Sequence, residues 1–239
     1  MELTLSILVV DRDQRTRTLL KETLEAHQLT VFEASSFEEG LLLFKKEPLE
    51  LVVTEAVINQ EAPLAFLREL RSLSSLPVVI VAEDQGESQR LKSFELGADD
   101  FVQKPFSPEE VYLRIKRLLR YYYQGSPFMV SGQHYVFPDM TIDLGRKKVT
   151  VAGKHANLTA IEFNLLSYFV NHSDQVLSRR QLLEDVWGYQ ILGEERTVDV
   201  HIRRLRQKLG AYSEATASRI VTVYQRGYRF QSNLAKVIK

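Results

Sequence analysis

The sequence predicts two domains: an α/β half on a parallel five-stranded sheet, then a smaller α+β half that ends in a helix and a hairpin. Three observations carry this reading. Between residues 5 and 120, short apolar runs alternate with amphipathic stretches, the pattern of repeated βα units. The charge is split, because residues 1–124 hold 15 Lys and Arg against 21 Asp and Glu, a net of −6, whereas residues 125–239 hold 16 against 10, a net of +6. Near the C-terminus two short alternating segments flank a glycine-containing turn, as in a β-hairpin.

In chain order, Leu5–Val10 is an apolar strand run and Arg15–Ala26 a helix. Val31–Glu33 and Leu51–Thr54 are strands on either side of a helix over Phe37–Lys46. Pro63–Ser72 contains a helix, Val78–Ala82 is a strand, Ser88–Leu96 a helix, Phe101–Gln103 a strand and Pro108–Arg120 a helix. Such units bury a parallel sheet on both faces, and ligands sit at the carboxyl ends of its strands. Those ends carry Asp11-Arg12-Asp13, Glu55, Ala82 and Lys104-Pro105. The helix pattern breaks at Gln124-Gly125-Ser126-Pro127, so the expected division is 1–122, a linker over 123–127, and a second domain over 128–235.

In the second domain Thr159 and Glu162 form a capping box at a helix start, and Ser178 opens the next helix, through about Val186. The segment Arg196–Leu209 has two faces. Val198, Ile202, Leu205 and Leu209 fall at i, i+4, i+7 and i+11 and make a core stripe. Thr197, Val200, His201, Arg204 and Lys208 fall on another side, flanked by Arg203 and Arg206. Such a helix suits a DNA major groove, because Arg bonds guanine edges and small groups touch thymine methyls. The base-reading face is expected to be Thr197, Val200, His201 and Arg204. Arg179, Arg180, Arg203, Arg206 and Lys208 are expected on phosphates, which position rather than specify. The hairpin over 218–230 turns at Gln225-Arg226-Gly227, and Gly227 can supply a positive φ there.

Composition excludes several classes. The chain has 239 residues, no cysteine and five scattered histidines, so thiolate metal sites, disulfides and thiol catalysis are absent. No run of 18 apolar residues offers a membrane span, and Met1–Ser6 has no basic region of a signal peptide. The expected location is cytoplasmic. No P-loop, no GxSxG and no zinc motif points to an enzyme. The basic second half is the footprint of a polyanionic partner, double-stranded DNA.

The order LTxxEFxLL, SRxxLLxxVWG, RTVDVHIRRLRxKL and GYRF over roughly residues 128–232 resembles the winged-helix effector domain of the OmpR/PhoB family of bacterial response regulators. The resemblance implies a homodimer on tandem half-sites and a wing that enters the minor groove. Thr222 precedes the wing, Tyr224 stands where the family often has Arg, and Arg226 lies two residues on. The loop 187–195 stands where family members contact RNA polymerase.

ILVVDRD, GADDFVQKPF and SPEEVYLRIKRLLR resemble a receiver domain of flavodoxin-like fold, over roughly residues 5–122. The resemblance implies an acidic pair for Mg²⁺, a phosphoacceptor Asp, a Ser/Thr switch, an aromatic switch and a Lys. This chain matches them with Asp11 but Arg12, with Glu55, with Ala82, with Phe101, and with Lys104. A guanidinium cannot ligate Mg²⁺. No cofactor, and no Mg²⁺, is therefore expected. Arg12 and Lys104 are expected to pair with Glu55 and lower its pKa, leaving a fixed anion and a constitutively active receiver. The competing reading is a conventional regulator phosphorylated by a histidine kinase at an unusual acceptor, Glu55 or Asp13.

The resemblance also implies a symmetric dimer through the fourth helix, fifth strand and fifth helix. Lys92 would pair with Glu110, and Asp100 with Arg114, across a two-fold axis, with Asp99 and Arg117 in the same face.

Overall fold

The apolar runs of the first half form one parallel sheet in the order β2-β1-β3-β4-β5. Its strands are β1 (Ser6–Val10), β2 (Thr30–Ala34), β3 (Leu51–Thr54), β4 (Val78–Glu83) and β5 (Asp100–Lys104). Helices α1 (Gln14–Ala26), α2 (Phe37–Lys46), α3 (Ala65–Leu73), α4 (Glu87–Leu96) and α5 (Pro108–Leu119) connect and cover them. The computed structural model describes residues 5–57, 64–83, 86–120, 134–188, 195–232 and 236–238, in two units, Met1–Arg120 and Tyr121–Lys239.

Local chemistry sets these elements. Asp13 caps α1 by accepting from the Arg15 amide at 2.9 Å. Ser36 caps α2 through the Glu39 amide at 3.2 Å, and the Glu39 carboxylate returns to the Ser35 amide at 2.7 Å. Such caps are each worth about 1 kcal/mol. Val111, Ile115, Leu118 and Leu119 of α5 are buried, as their spacing predicts, against Val9, Val79 and Val102 of the sheet. The strand order reverses beside β1 and β3, so Asp11 and Glu55 at their carboxyl ends flank a switch-point crevice. The Lys104–Pro105 peptide is cis.

The second unit begins with a sheet that the sequence reading did not register. Strands β6 (His134–Val136), β7 (Met140–Asp143), β8 (Lys148–Val151) and β9 (Lys154–His155) form an antiparallel meander. Next come α6 (Ala160–Asn171) and α7 (Arg179–Leu182), the latter continued by a wider turn over Leu183–Trp187. Then follow α8 (Glu195–Gly210), α9 (Glu214–Ser218) and the hairpin β10 (Ile220–Val223) and β11 (Gly227–Phe230). A last strand, β12 (Lys236–Ile238), pairs with β6. Helix α6 is buried from Ala160 to Val170, because it lies in the middle of this unit and is apolar nearly all round. The predicted capping box of Thr159 and Glu162 is present on α6, and Ser178, expected to open the next helix, forms a second box with Gln181 on α7. The α8 stripe Val198, Ile202, Leu205 and Leu209 is fully buried. No helix among the described residues is long and apolar enough to cross a membrane.

Candidate functional sites: the receiver pocket and the nucleic-acid interface

The receiver pocket gathers two carboxylates and two cations. Asp11 follows β1 and Glu55 follows β3, and both are buried. Lys104, at the end of β5, reaches Asp11 Oδ2 at 2.8 Å and Glu55 Oε1 at 3.6 Å. Arg12 lies largely in solvent and places Nε 3.6 Å from Glu55 Oε2. The predicted convergence on Glu55 is thus present, but at ion-pair rather than hydrogen-bond distance.

The predicted direction of the Glu55 pKa is corrected. Burial pushes it above the ordinary carboxylate value, the Asp11 charge pushes the same way, and Lys104 and Arg12 offset only part of this. Lys104 is shared with Asp11 and Arg12 is solvated, so neither neutralises Glu55 fully. Asp13 is committed elsewhere, accepting from the Arg15 amide and from Thr16 Oγ1. Ala82 is buried at the end of β4, and Phe101 is half-buried on β5.

This donor set does not fit Mg²⁺, which needs an octahedron of oxygens. Among the described residues no three acidic or imidazole side chains converge. Arg12 occupies the second acidic position with a positive charge, and Lys104 already holds the remaining acid.

Three residues expected on a dimer face turn inward. Asp99 is fully buried, and its Oδ2 accepts from Arg71 Nη2 at 2.7 Å and from the Val78 amide at 2.9 Å. Arg71 also donates to the Gly97 and Leu76 carbonyls, so this pair fastens α3 to the start of β4. Arg114 and Asp100 are buried and pair at 3.1 Å within one chain, and Arg114 also binds Glu110 one turn away on α5. The side chains lie close in space inside a protomer, so no partner is needed to satisfy them. Lys92 stays exposed, Glu110 and Arg117 are half-exposed, and Leu113 on α5 is 60% exposed.

In the second unit, α8 presents a different face from the one predicted. Thr197 and His201 are buried, at 2% and 1% exposure, and cannot read bases. Their stripe lies only about 100° round the helix from the core stripe, and α6 packs on it. Burial drives the His201 imidazole down to about 3, with Arg204 and Lys208 assisting and Glu162 opposing, so the ring is neutral. It packs on Trp187, centroid to centroid 5.2 Å, and Trp187 is itself fully buried. Arg204 Nε binds Glu162 Oε1 at 3.0 Å, and Lys208 Nζ binds Glu162 Oε2 at 2.6 Å. Arg204 and Lys208, expected at the groove and on phosphates, thus both pair with one carboxylate of α6.

The outward stripe of α8 is Arg196, Val200, Arg203 and Gln207, again at i, i+4, i+7 and i+11, with Val200 half-buried and the others exposed. The period alone permits this face; choosing it requires knowing where α6 lies. Arg206 donates to the Ile220 carbonyl at 2.6 Å and to Thr222 Oγ1 at 2.9 Å, neutral acceptors that leave its charge uncompensated there. Arg180 is largely solvated and pairs with Glu184.

One carboxylate missed in the sequence joins three elements. Asp199 on α8 accepts from Arg179 Nε and from the Tyr228 hydroxyl of β11, each at 2.7 Å. The guanidinium groups of Arg179 and Arg206 both lie over the Tyr228 ring, at 5.1 and 5.6 Å from its centroid. This fixes the wing against α8. The wing tip carries Thr222, Arg226 and Tyr224, all exposed, Tyr224 at 83%. The loop 187–195, expected at RNA polymerase, lies outside the described residues over 189–194.

Known proteins match both units. A model of the response regulator receiver domain matches residues 7–116, and one of the transcriptional regulatory protein C terminal domain matches residues 153–230. The transcriptional regulatory protein ResD of Bacillus subtilis is 36% identical over 228 residues, covering 94% of this chain and 95% of its own length. The chain belongs to the OmpR/PhoB-type response regulators. SrrA of Staphylococcus aureus, also a transcriptional regulatory protein, is 35% identical over 229 residues, with 94% and 95% coverage. Among solved structures, a RitR mutant shares the fold, with a TM-score of 0.73 at 24% identity and coverage of 95% and 99%. This response regulator therefore carries a flavodoxin-like receiver followed by a winged-helix DNA-binding domain that regulates transcription.

Proposed function

We propose that this response regulator binds specific duplex DNA as a homodimer on tandem half-sites, with a receiver that is not switched by aspartyl phosphorylation. The single observation behind the second part is the pocket's charge arrangement. Lys104 is 2.8 Å from Asp11, and Arg12 faces Glu55, where a metal and a phosphoaspartate would otherwise stand. Ala82 has no hydroxyl to meet a phosphoryl group. The one-state receiver is read as active-like. Dimerisation is read onto α4, β5 and α5, where Leu113 and Lys92 are exposed and Glu110, paired with Arg114 in its own chain, is half-exposed.

The test is incubation of the full chain with acetyl phosphate, or with beryllofluoride and Mg²⁺. Sedimentation should show a dimer before and after, with operator affinity unchanged. A rise in either on treatment would favour phosphorylation at an unusual acceptor, Glu55 or Asp13, and a persistent monomer would remove the dimer.

On DNA, α8 lies in the major groove with Arg196, Val200, Arg203 and Gln207 toward the bases, Arg179, Arg180 and Arg206 near phosphates, and the wing with Arg226 and Tyr224 at the minor groove. Loop 187–195 is the region offered to RNA polymerase. Replacing Arg203 by Ala should cost about 1–3 kcal/mol at the operator and relax preference at one position. An equal loss across all sequences, in a binding-site selection, would move Arg203 to the phosphates.

A further inference from the structure

Helix α8 carries five cationic side chains, Arg196, Arg203, Arg204, Arg206 and Lys208. Each cation that neutralises a phosphate adds affinity for any duplex, whatever its sequence. Two of the five are not presented in that way. Arg204 keeps 11% of its side chain exposed and Lys208 31%, and both end on Glu162, which is fully enclosed. Lys208 is held further by the Asn157 carbonyl at 2.9 Å.

Glu162 is placed without help from α8. It is the N3 residue of α6, its Oε2 accepts from the Thr159 amide at 2.8 Å, and the N-terminus of the helix favours a negative charge. The carboxylate is thus preformed and desolvated, and charge-assisted hydrogen bonds to it are short and strong. Thr197 and His201 close the same side of α8 against α6.

Resting on the reading that α8 enters the groove, we infer that Glu162 limits sequence-independent affinity: it withholds Arg204 and Lys208 from DNA phosphates and leaves recognition to the outward stripe. Glu162 touches no DNA and acts by holding two cations. Its removal should therefore raise non-specific affinity, which a merely structural residue would not do.

The experiment measures salt dependence of binding to a mixed-sequence duplex by fluorescence anisotropy, using the full chain. Lys208→Gln and Arg204→Gln should leave the slope of log K against log salt unchanged. Arg206→Gln, the control for the helix reading, should make it shallower by about 0.9. Glu162→Gln should make it steeper by up to about 1.8, an additional affinity loss of about twelvefold between about 50 and about 200 mM salt. Gln preserves the capping box, as Gln181 does beside Ser178. If Glu162→Gln fails to fold, the two cation variants still decide. A slope made shallower by both Lys208→Gln and Arg204→Gln overturns the inference while sparing the helix reading. An unchanged slope in Arg206→Gln overturns the helix reading itself.

Discussion

Gly227→Ala should unfold the winged-helix unit or abolish its DNA binding, at a cost of roughly 4 kcal/mol or more. Gly227 has a φ of +128°, which an L side chain rarely adopts. A Cβ there would stand 2.1 Å from the Leu177 carbonyl oxygen and 2.9 Å from Ser178 Cα. Both obstacles are backbone and cannot rotate away. They are also fixed, because Leu177 and Tyr228 exchange two backbone hydrogen bonds, of 2.8 and 2.9 Å. Relieving the clash would break that bridge and displace Tyr228, which anchors the wing to Asp199 on α8. Against a typical domain stability of about 5–15 kcal/mol this is a large fraction. Denaturant unfolding followed by Trp187 fluorescence, with anisotropy on DNA, would measure both effects. A variant with wild-type midpoint and affinity would show that the turn relaxes freely.

The fold was legible because its signals are local. The βα alternation, the capping residues Thr159 and Ser178, and the α8 core stripe are each written within about a dozen residues. Gly227 was legible for the same reason, as the one residue of its turn able to take a positive φ cheaply. The meander over residues 134–155 was missed because its strands are only two to four residues long, too short for an alternation to stand out. The sites were legible as residue types and not as partners. Glu162 was recognised as a cap, yet nothing 42 positions earlier marks it as the acceptor for Arg204. Asp100 and Arg114 have the signs needed for a contact between protomers, and the same signs satisfy each other within one. The Glu55 pKa went the other way because ion pairs can be counted in sequence, whereas burial and the sharing of Lys104 cannot.

Acidification should destabilise the winged-helix unit, and His201 is the main cause. The imidazole is buried and its folded pKa is about 3, against an ordinary value of 6.5. Between those values the unfolded chain binds a proton that the folded one refuses. Stability is therefore full above pH 6.5 and falls as pH drops, by about 1.4 kcal/mol per unit. From neutral pH to pH 4.5 this amounts to about 3 kcal/mol. Below 4.5 Glu162 adds to the loss. Burial opposes its charge, but Arg204, Lys208 and the Thr159 amide together hold its folded pKa below 4.5, so the unfolded state is protonated first. Glu55 in the receiver has the opposite sign. Its folded pKa is raised, so its contribution is restored as pH falls through that value. The chain's only tryptophan, Trp187, packs on His201 and reports the second unit alone. Urea unfolding by Trp187 fluorescence should thus show a midpoint that falls steadily from pH 7 to pH 5. His201→Gln should start less stable and lose most of that slope. If the wild-type midpoint is flat over this range, the imidazole is accessible to protons in the folded state, and α8 does not pack on α6 as described.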